Sequence, residues 1–342
     1  MNHYYSTFIS GFQKLIEAEL KRKLPDLKIN RLLDGLVIYQ TTATFREIQK
    51  LKFFNNSFIL LSQLKCSKDQ VPESIIDRLL QTSDFKQVSE VSKLQFIKSF
   101  RLIISKENQT ISLKQEVLKD AENIVSKQTR LKLHKTLPDI EFWFNIRDEN
   151  ICLFGARITP LGKTKTKKYQ KGELRQELAH LLILMSDPDK DDVVLEPFAG
   201  FGAIVLERVQ SFPYKRIYAS DIDRQRFEEL KRKTKWGQPK IIVVNENAFS
   251  LPSVPDNSID KIITDPPWGE YGPPLPSQIA LFNQEMLKSF DRVLKRDGIV
   301  VTLLSRNINF NSVVKKSKFK ILKQIDILVS GKKASAYKLF KQ

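Results

Sequence analysis

A chain of 342 residues with 57 Lys and Arg against 39 Asp and Glu carries a formal charge of +18, is long enough for two or three domains with their own cores, and favours a polyanionic partner, nucleic acid first among them. The surplus is present in both parts, 29 basic against 18 acidic residues over 1–168 and 28 against 21 beyond. Ordinary hydrophobic content (41%) excludes a disordered chain, no apolar run approaches the ~18–20 residues of a membrane span, and the polar start Met1-Asn2-His3-Tyr4-Tyr5 is no signal peptide.

Residues 4–65 predict a small α/β unit. Tyr5 to Ile9 reads as a strand, and Phe12, Leu15, Ile16, Leu20 and Leu24 recur at helical spacing until Pro25. Ile29–Leu33 and Leu36–Tyr39, joined at Asp34-Gly35, read as a hairpin. A helix through Phe45, Ile48 and Leu51 and a strand from Phe58 to Leu64 complete the order βαββαβ of a ferredoxin-like fold, assigned to residues 1–68. Residues 69–158 add a helix from Pro72 to Leu80, a strand from Phe96 to Ile104, a helix from Ser112 to Thr129, and a strand pair, Ile140–Ile146 and Ile151–Ile158, turning at Arg147-Asp148-Glu149-Asn150. This arrangement, ending in Phe154-Gly155-Ala156-Arg157, resembles the THUMP region of RNA-modifying enzymes, which implies RNA binding. Residues 159–172 hold Pro160, two glycines, five lysines and no acid; they read as a basic linker, either a solvated tether or a strip that contacts phosphates.

From Glu173 a third segment, 173–342, begins with an amphipathic helix through Leu174, Leu178, Leu181, Leu182 and Met185, closed at Pro188. Val193-Val194-Leu195 is a buried strand that runs into Glu196-Pro197-Phe198-Ala199-Gly200-Phe201-Gly202, and Ala203 to Val209 starts a helix. A glycine loop between strand and helix marks the start of a doubly wound sheet, where ligands bind beyond the strand ends. A second strand, Ile217 to Ser220, ends at Asp221, 21 residues after Gly200, where an acid accepts bonds from ribose hydroxyls. A third strand, Ile241–Val244, precedes Glu246-Asn247-Ala248-Phe249, and the Ile259–Thr264 strand opens onto Asp265-Pro266-Pro267-Trp268-Gly269. Gly272 to Pro276 reads as a stiff segment, a cover or a spacer. A helix from Ile279 to Leu294, a strand from Gly298 to Leu304, a helix over Asn311–Lys316 and strands Phe319–Leu328 and Ala334–Phe340 follow.

The loop after the fourth strand suits capture of a planar amine. Asp265 offers a carboxylate and Pro266 a carbonyl, the prolines fix φ without adding N–H groups, and Trp268 is placed to stack on a base. The same residues also fit a plain turn with Trp268 in the core. The glycine loop is not Gly-x-Gly-x-x-Gly, so it lacks the spacing that brings a backbone against a pyrophosphate. This half resembles class I S-adenosylmethionine-dependent methyltransferases that modify exocyclic amines. With Lys171-Gly172-Glu173-Leu174-Arg175-Gln176-Glu177-Leu178-Ala179 ahead of the glycine loop, it looks like the THUMP-domain RNA guanine-N2 methyltransferases acting on transfer RNA.

The resemblance implies an α/β protein with a C-terminal Rossmann-like methyltransferase domain and N-terminal ferredoxin-like and THUMP domains. Glu196, Pro197, Phe198, Ala199, Gly200 and Gly202 would surround the methionine part of S-adenosylmethionine, with Asp221 and Ile222 on the ribose side, Asn247 and Ala248 by the adenine, and Asp265 beside the methyl donor. Asp265, Pro266, Pro267 and Trp268 would hold the base. Family members often carry Asp in place of Asn247 and Tyr in place of Trp268, so an adenine-N6, ribosomal RNA or DNA amine methyltransferase stays open, as does an inert RNA-binding protein on the same scaffold. Cys66 and Cys152 follow no paired ligand spacing, and with histidines only at 3, 134 and 180 no metal site is expected. A reducing, cytoplasmic setting and an RNA partner, with no membrane, are expected; a small activating protein partner is not readable from the residues.

Overall fold

Strand and helix periodicities switch repeatedly along the chain, and the computed structural model arranges them in two sheets. It describes residues 1–67, 70–161, 172–234, 240–269, 275–307 and 309–342. The basic linker expectation falls mainly on 162–171, and most of the Gly272–Pro276 segment on 270–274, both outside the described residues. The chain divides into two compact units, one of Met1–Phe8 and Glu17–Lys168, the other of Ile9–Ile16 and Tyr169–Gln342.

The first unit is built on β1 (Asn2–Thr7), α1 (Gln13–Lys23) from Glu17 onward, β2 (Lys28–Leu33), β3 (Leu36–Thr41), α2 (Phe45–Gln49) and β4 (Asn56–Lys65). There follow α3 (Pro72–Gln81), α4 (Lys86–Gln95), β5 (Ser99–Lys106), β6 (Gln109–Thr110), α5 (Gln115–Thr129), β7 (Lys132–Leu133), β8 (Ile140–Arg147) and β9 (Ile151–Arg157). The first four strands lie in the ferredoxin-like order β2-β3-β1-β4, and the sheet continues β9-β8-β5-β6, with β7 beside β5. Because β4 pairs with β9 antiparallel from Phe58↔Arg157 to Lys65↔Ile151, one sheet runs through both expected N-terminal modules.

Successive side chains of a strand point to opposite faces, so Phe142 and Phe144, two apart on β8, share one face. Phe142, Phe144 and Phe154 are fully buried, and Phe144 stacks on Phe154 at 4.1 Å between ring centroids. Gly155 leaves room for Tyr5: a Cβ there would lie 2.5 Å from the Tyr5 ring, which stacks on Phe58, and the Tyr5 hydroxyl accepts a bond from Asn145 Nδ2. Glu141, buried on β8, accepts from Arg101, Arg157 and Trp143. Burial alone would raise its carboxyl, yet those three donors hold it below the usual range. Against the expected reducing setting, Cys66 and Cys152, which follow no paired ligand spacing, form a disulfide, because the β4–β9 register brings their backbones together, Cys66 N–H donating to Asn150 O.

The second unit contains α6 (Gln176–Met185), β10 (Val193–Glu196), α7 (Ala203–Ser211), β11 (Arg216–Ser220), α8 (Arg224–Thr234), β12 (Ile241–Val244) and β13 (Ile259–Thr264). A single 3₁₀ turn, Pro276–Gln278, leads into α9 (Ile279–Val293), then β14 (Leu294–Ser305), α10 (Phe310–Val314), β15 (Phe319–Val329) and β16 (Lys332–Lys341). The sheet order is β12-β11-β10-β13-β14-β16-β15. The first five strands are parallel, and β16 runs antiparallel to both neighbours.

Parallel strands are covered on both faces, and Ile259, Ile262 and Ile263 of β13 are fully buried. The buried stripe of α9, Met286, Leu287, Phe290 and Val293, packs with Leu195, Ile262, Val300 and Leu304; burying a side chain such as Phe290 stabilises by about 1.5–3 kcal/mol. Strand order reverses at β10, with β11 on one side and β13 on the other. Such a switch point opens a crevice at the carboxyl ends of the strands. No helix among the described residues is long and apolar enough to cross a membrane.

Candidate active site

Four parallel strands end at this crevice, and each contributes a predicted site residue. β10 ends in Glu196, which is buried. Its Oε1 accepts from Phe198 N–H at 3.0 Å and from Thr264 Oγ1 at 2.7 Å, while Oε2 is buried without a partner among the described residues. Burial, reinforced by the nearby Asp265 and Asp221 carboxylates, pushes the Glu196 carboxyl well above the ordinary range.

The glycine loop then folds back onto β11. Ala199 N–H donates to Ser220 O at 2.8 Å, and Gly200 N–H donates to Asp221 Oδ2 at 2.7 Å. Gly200 and Gly202 have φ of +51° and +85°, a region that side chains rarely adopt. A Cβ on Gly200 would meet nothing closer than Phe198 O at 3.8 Å, whereas one on Gly202 would meet Leu230 Cδ1 at 2.5 Å. Gly200 therefore borders open space, and Gly202 is a packing requirement between α7 and α8.

Asp221 Oδ1 accepts from Asp223 N–H, so both carboxylate oxygens already hold one main-chain donor and keep further acceptor capacity. Asn245 Nδ2 ties the next loop to the Asp221 and Ile222 carbonyls at 2.7 and 3.0 Å. Ile222 is 70% exposed. Asn247 turns its Oδ1 onto Phe249 N–H, and the buried Ala248 offers its carbonyl to Ser289 Oγ of α9 at 2.8 Å.

At the tip of β13, Asp265 is half-buried, Pro266 buried and Pro267 exposed. Trp268 Nε1 donates to Asp265 Oδ1 at 3.0 Å and also to Leu303 O of β14 at 3.2 Å. Burial, partly offset by the indole N–H, pushes the Asp265 carboxyl up to about 7.

The structure thus brings Glu196, the glycine loop, Asp221 and the Asp265 loop together at neighbouring strand tips. The Asn247 amide oxygen instead serves its own turn, and the Trp268 indole N–H is engaged with Asp265. Sequence reasoning missed Thr264, which links the first and fourth strand tips. It also gave no role to Phe249, which meets Phe282 edge-on at 5.0 Å, with Phe282 reaching Phe198 at 5.7 Å. Phe249 stood in the stretch after the third strand; Phe282 carried no local signal beyond its place on an amphipathic helix. Among the described residues no group of three or more His, Cys, Asp or Glu is placed to hold a metal ion.

Residues 163–334 match the family described as RMKL-like, methyltransferase domain. The chain belongs to that family. The chain is 32% identical over 143 residues to the Methanothermococcus thermolithotrophicus protein named "Probable tRNA (guanine(10)-N2)-dimethyltransferase", covering 40% of this chain and 83% of that one. It is 31% identical over 138 residues to a Thermus thermophilus tRNA (guanine(6)-N2)-methyltransferase, covering 39% and 40%. The chain spans only 33–43% of the length of five curated relatives it matches. Across its whole length the fold is similar to the crystal structure of TrmN from Thermus thermophilus, with a TM-score of 0.79, 20% identity and 100% of both chains covered.

Proposed function

We propose that the protein is an S-adenosylmethionine-dependent RNA methyltransferase that forms N2-methylguanosine in transfer RNA. The observation that carries this reading is the pairing, at one switch point, of a glycine loop bordering open space with a carboxylate loop one strand away. The residues suit the cofactor. Glu196 keeps a buried oxygen, unpartnered among the described residues, for a cationic group, Asp221 retains acceptor capacity for a ribose, and Ile222 and Phe249, beside the buried Ala248, offer apolar surface to an adenine. When bound, S-adenosylmethionine supplies a methyl group made electrophilic by its sulfonium.

Asp265 and the Pro266 carbonyl accept the two hydrogens of the guanine amine, align the nitrogen lone pair and stabilise positive charge developing on it. The ionised carboxylate then takes the proton released from nitrogen. A duplex base is out of reach of this loop, so the target is single-stranded or flipped out. The first unit, read as ferredoxin-like (1–68) and THUMP-like (69–158) modules fused through β4 and β9, grips RNA through phosphates and shape. The family relationship and the surplus of 57 basic over 39 acidic residues support this reading.

Incubating the protein with labelled S-adenosylmethionine and transfer RNA, small nuclear RNA, ribosomal RNA or DNA, followed by nucleoside analysis, tests it. N2-methylguanosine in transfer RNA is the expected product, and N6-methyladenine would move the assignment to the other amine. Asp265→Ala abolishes turnover and leaves cofactor affinity nearly intact; a variant that keeps most of its activity overturns the role given to Asp265.

A further inference from the structure

Trp268 is bonded in a way that stacking alone does not need. Its indole N–H is shared between Asp265 Oδ1 and the Leu303 carbonyl. The Leu303 carbonyl belongs to β14, whose register against β16 fixes its position. Between Asp265 and Trp268 stand two prolines, each with φ restricted by its ring. The carboxylate is therefore held at one end by a short stiff loop and at Oδ1 by a donor anchored to the next strand. Oδ2 receives no hydrogen bond from the described residues and is the oxygen left for a substrate amine.

We infer that Trp268 is a positioning residue, which fixes the orientation of the Asp265 carboxylate through its indole N–H and so aims Oδ2 at the incoming base. The inference rests on the reading of Asp265 as the amine acceptor. It also gives the tryptophan a job that phenylalanine, lacking a donor, cannot do.

The Glu196 carboxyl at the tip of β10 feels both Asp265 and, on its other side, Asp221 after β11. No lysine or arginine among the described residues, those of β14 and α9 included, bonds to Asp265. Among the described residues the indole N–H is the group that favours the ionised form against burial. Losing it moves the titration of Asp265 upward. Since the ionised carboxylate is the form that accepts the amine and its proton, activity rises with pH through that titration, and the rise shifts to higher pH with it.

Trp268→Phe keeps an aromatic ring and removes only the donor. Its pH profile for kcat/KM on transfer RNA is expected to place the rising limb ~0.5–1 unit above wild type, with activity at neutral pH down roughly two- to fivefold and KM for RNA nearly unchanged. Independently of activity, the Trp268 indole ¹⁵N–H signal should titrate with a midpoint near that of Asp265 and become flat in Asp265→Asn. An indole signal insensitive to pH, or a Trp268→Phe limb that coincides with wild type, overturns the inference. If the wild-type protein methylates no RNA, the functional reading falls, and the indole titration still decides whether Trp268 and Asp265 act as a pair.

Discussion

Replacing Gly200 and Gly202 separately by alanine distinguishes the glycine that faces ligand from the one that faces the core. Both have left-handed φ, so each alanine carries about 1–2 kcal/mol of backbone strain. Gly200→Ala adds nothing further, since its nearest neighbour would be Phe198 O at 3.8 Å. Gly202→Ala adds a 2.5 Å contact with Leu230 Cδ1, and Leu230 is the one residue of α8 that is buried. A flexible end normally gives way, but this one is enclosed, and overpacking of that kind costs about 1–3 kcal/mol more. The expected losses are therefore about 1–2 kcal/mol for Gly200→Ala and about 2–5 kcal/mol for Gly202→Ala, or roughly 2–8 °C and 4–20 °C in Tm for a unit of this size. Thermal unfolding followed by circular dichroism measures them. Cofactor affinity should order the other way. The methyl of Gly200→Ala enters the open space assigned to ligand and weakens S-adenosylhomocysteine binding, measured by calorimetry, by about tenfold or more. A Gly202 variant no less stable than the Gly200 variant, or a Gly200 variant with wild-type affinity, would refute the reasoning.

Arg208 is buried, with Nη2 donating to Asp192 Oδ2 at 2.9 Å and to Asp189 O at 2.8 Å; Asp192→Ala leaves that cation nearly unpaired and should cost about 3–5 kcal/mol in urea unfolding, while the apolar pair Asp192→Leu with Arg208→Met regains most of it. Equal stability of single and double variants would show that charge burial is not the cause. Glu196, raised above its unfolded value by burial, stabilises the fold fully below the ordinary glutamate range near ~4.3 and loses that contribution as pH climbs through the raised value. Glu196→Gln should flatten this limb in unfolding measurements across pH, and an unchanged limb would assign it to other groups.

Where the chain advertises its structure, it does so through local rules. The strand–loop–helix from Val193 to Ala203, Asp221 after the next strand and the Asp-Pro-Pro-Trp loop after the fourth were all legible, because apolar runs end abruptly at glycine, proline and acids. Helix α8 was not, since a segment of Arg, Lys, Glu and Gln with Leu230 alone buried shows no apolar stripe. The strand expected from Phe96 begins at Ser99, because Phe96 caps α4 at φ +54° and is 84% exposed. Contacts between distant segments left no local trace: Thr264 on Glu196, the Phe198, Phe249 and Phe282 rings, and the Cys66–Cys152 bond all depend on which strands become neighbours. Trp268 was read for its ring, and its N–H proved to be the engaged group.

The pairing of β4 with β9 has a consequence for how the chain is made. During synthesis the ten residues of β4 emerge with one edge matched to β1, and their other edge has no mate until α3 through β8 have left the ribosome. An unpaired edge of that length invites other strands, and a match this remote in sequence forms slowly. A protein truncated after residue 68 should therefore self-associate, and the nascent chain passes through that same exposed state before β9 arrives to close it.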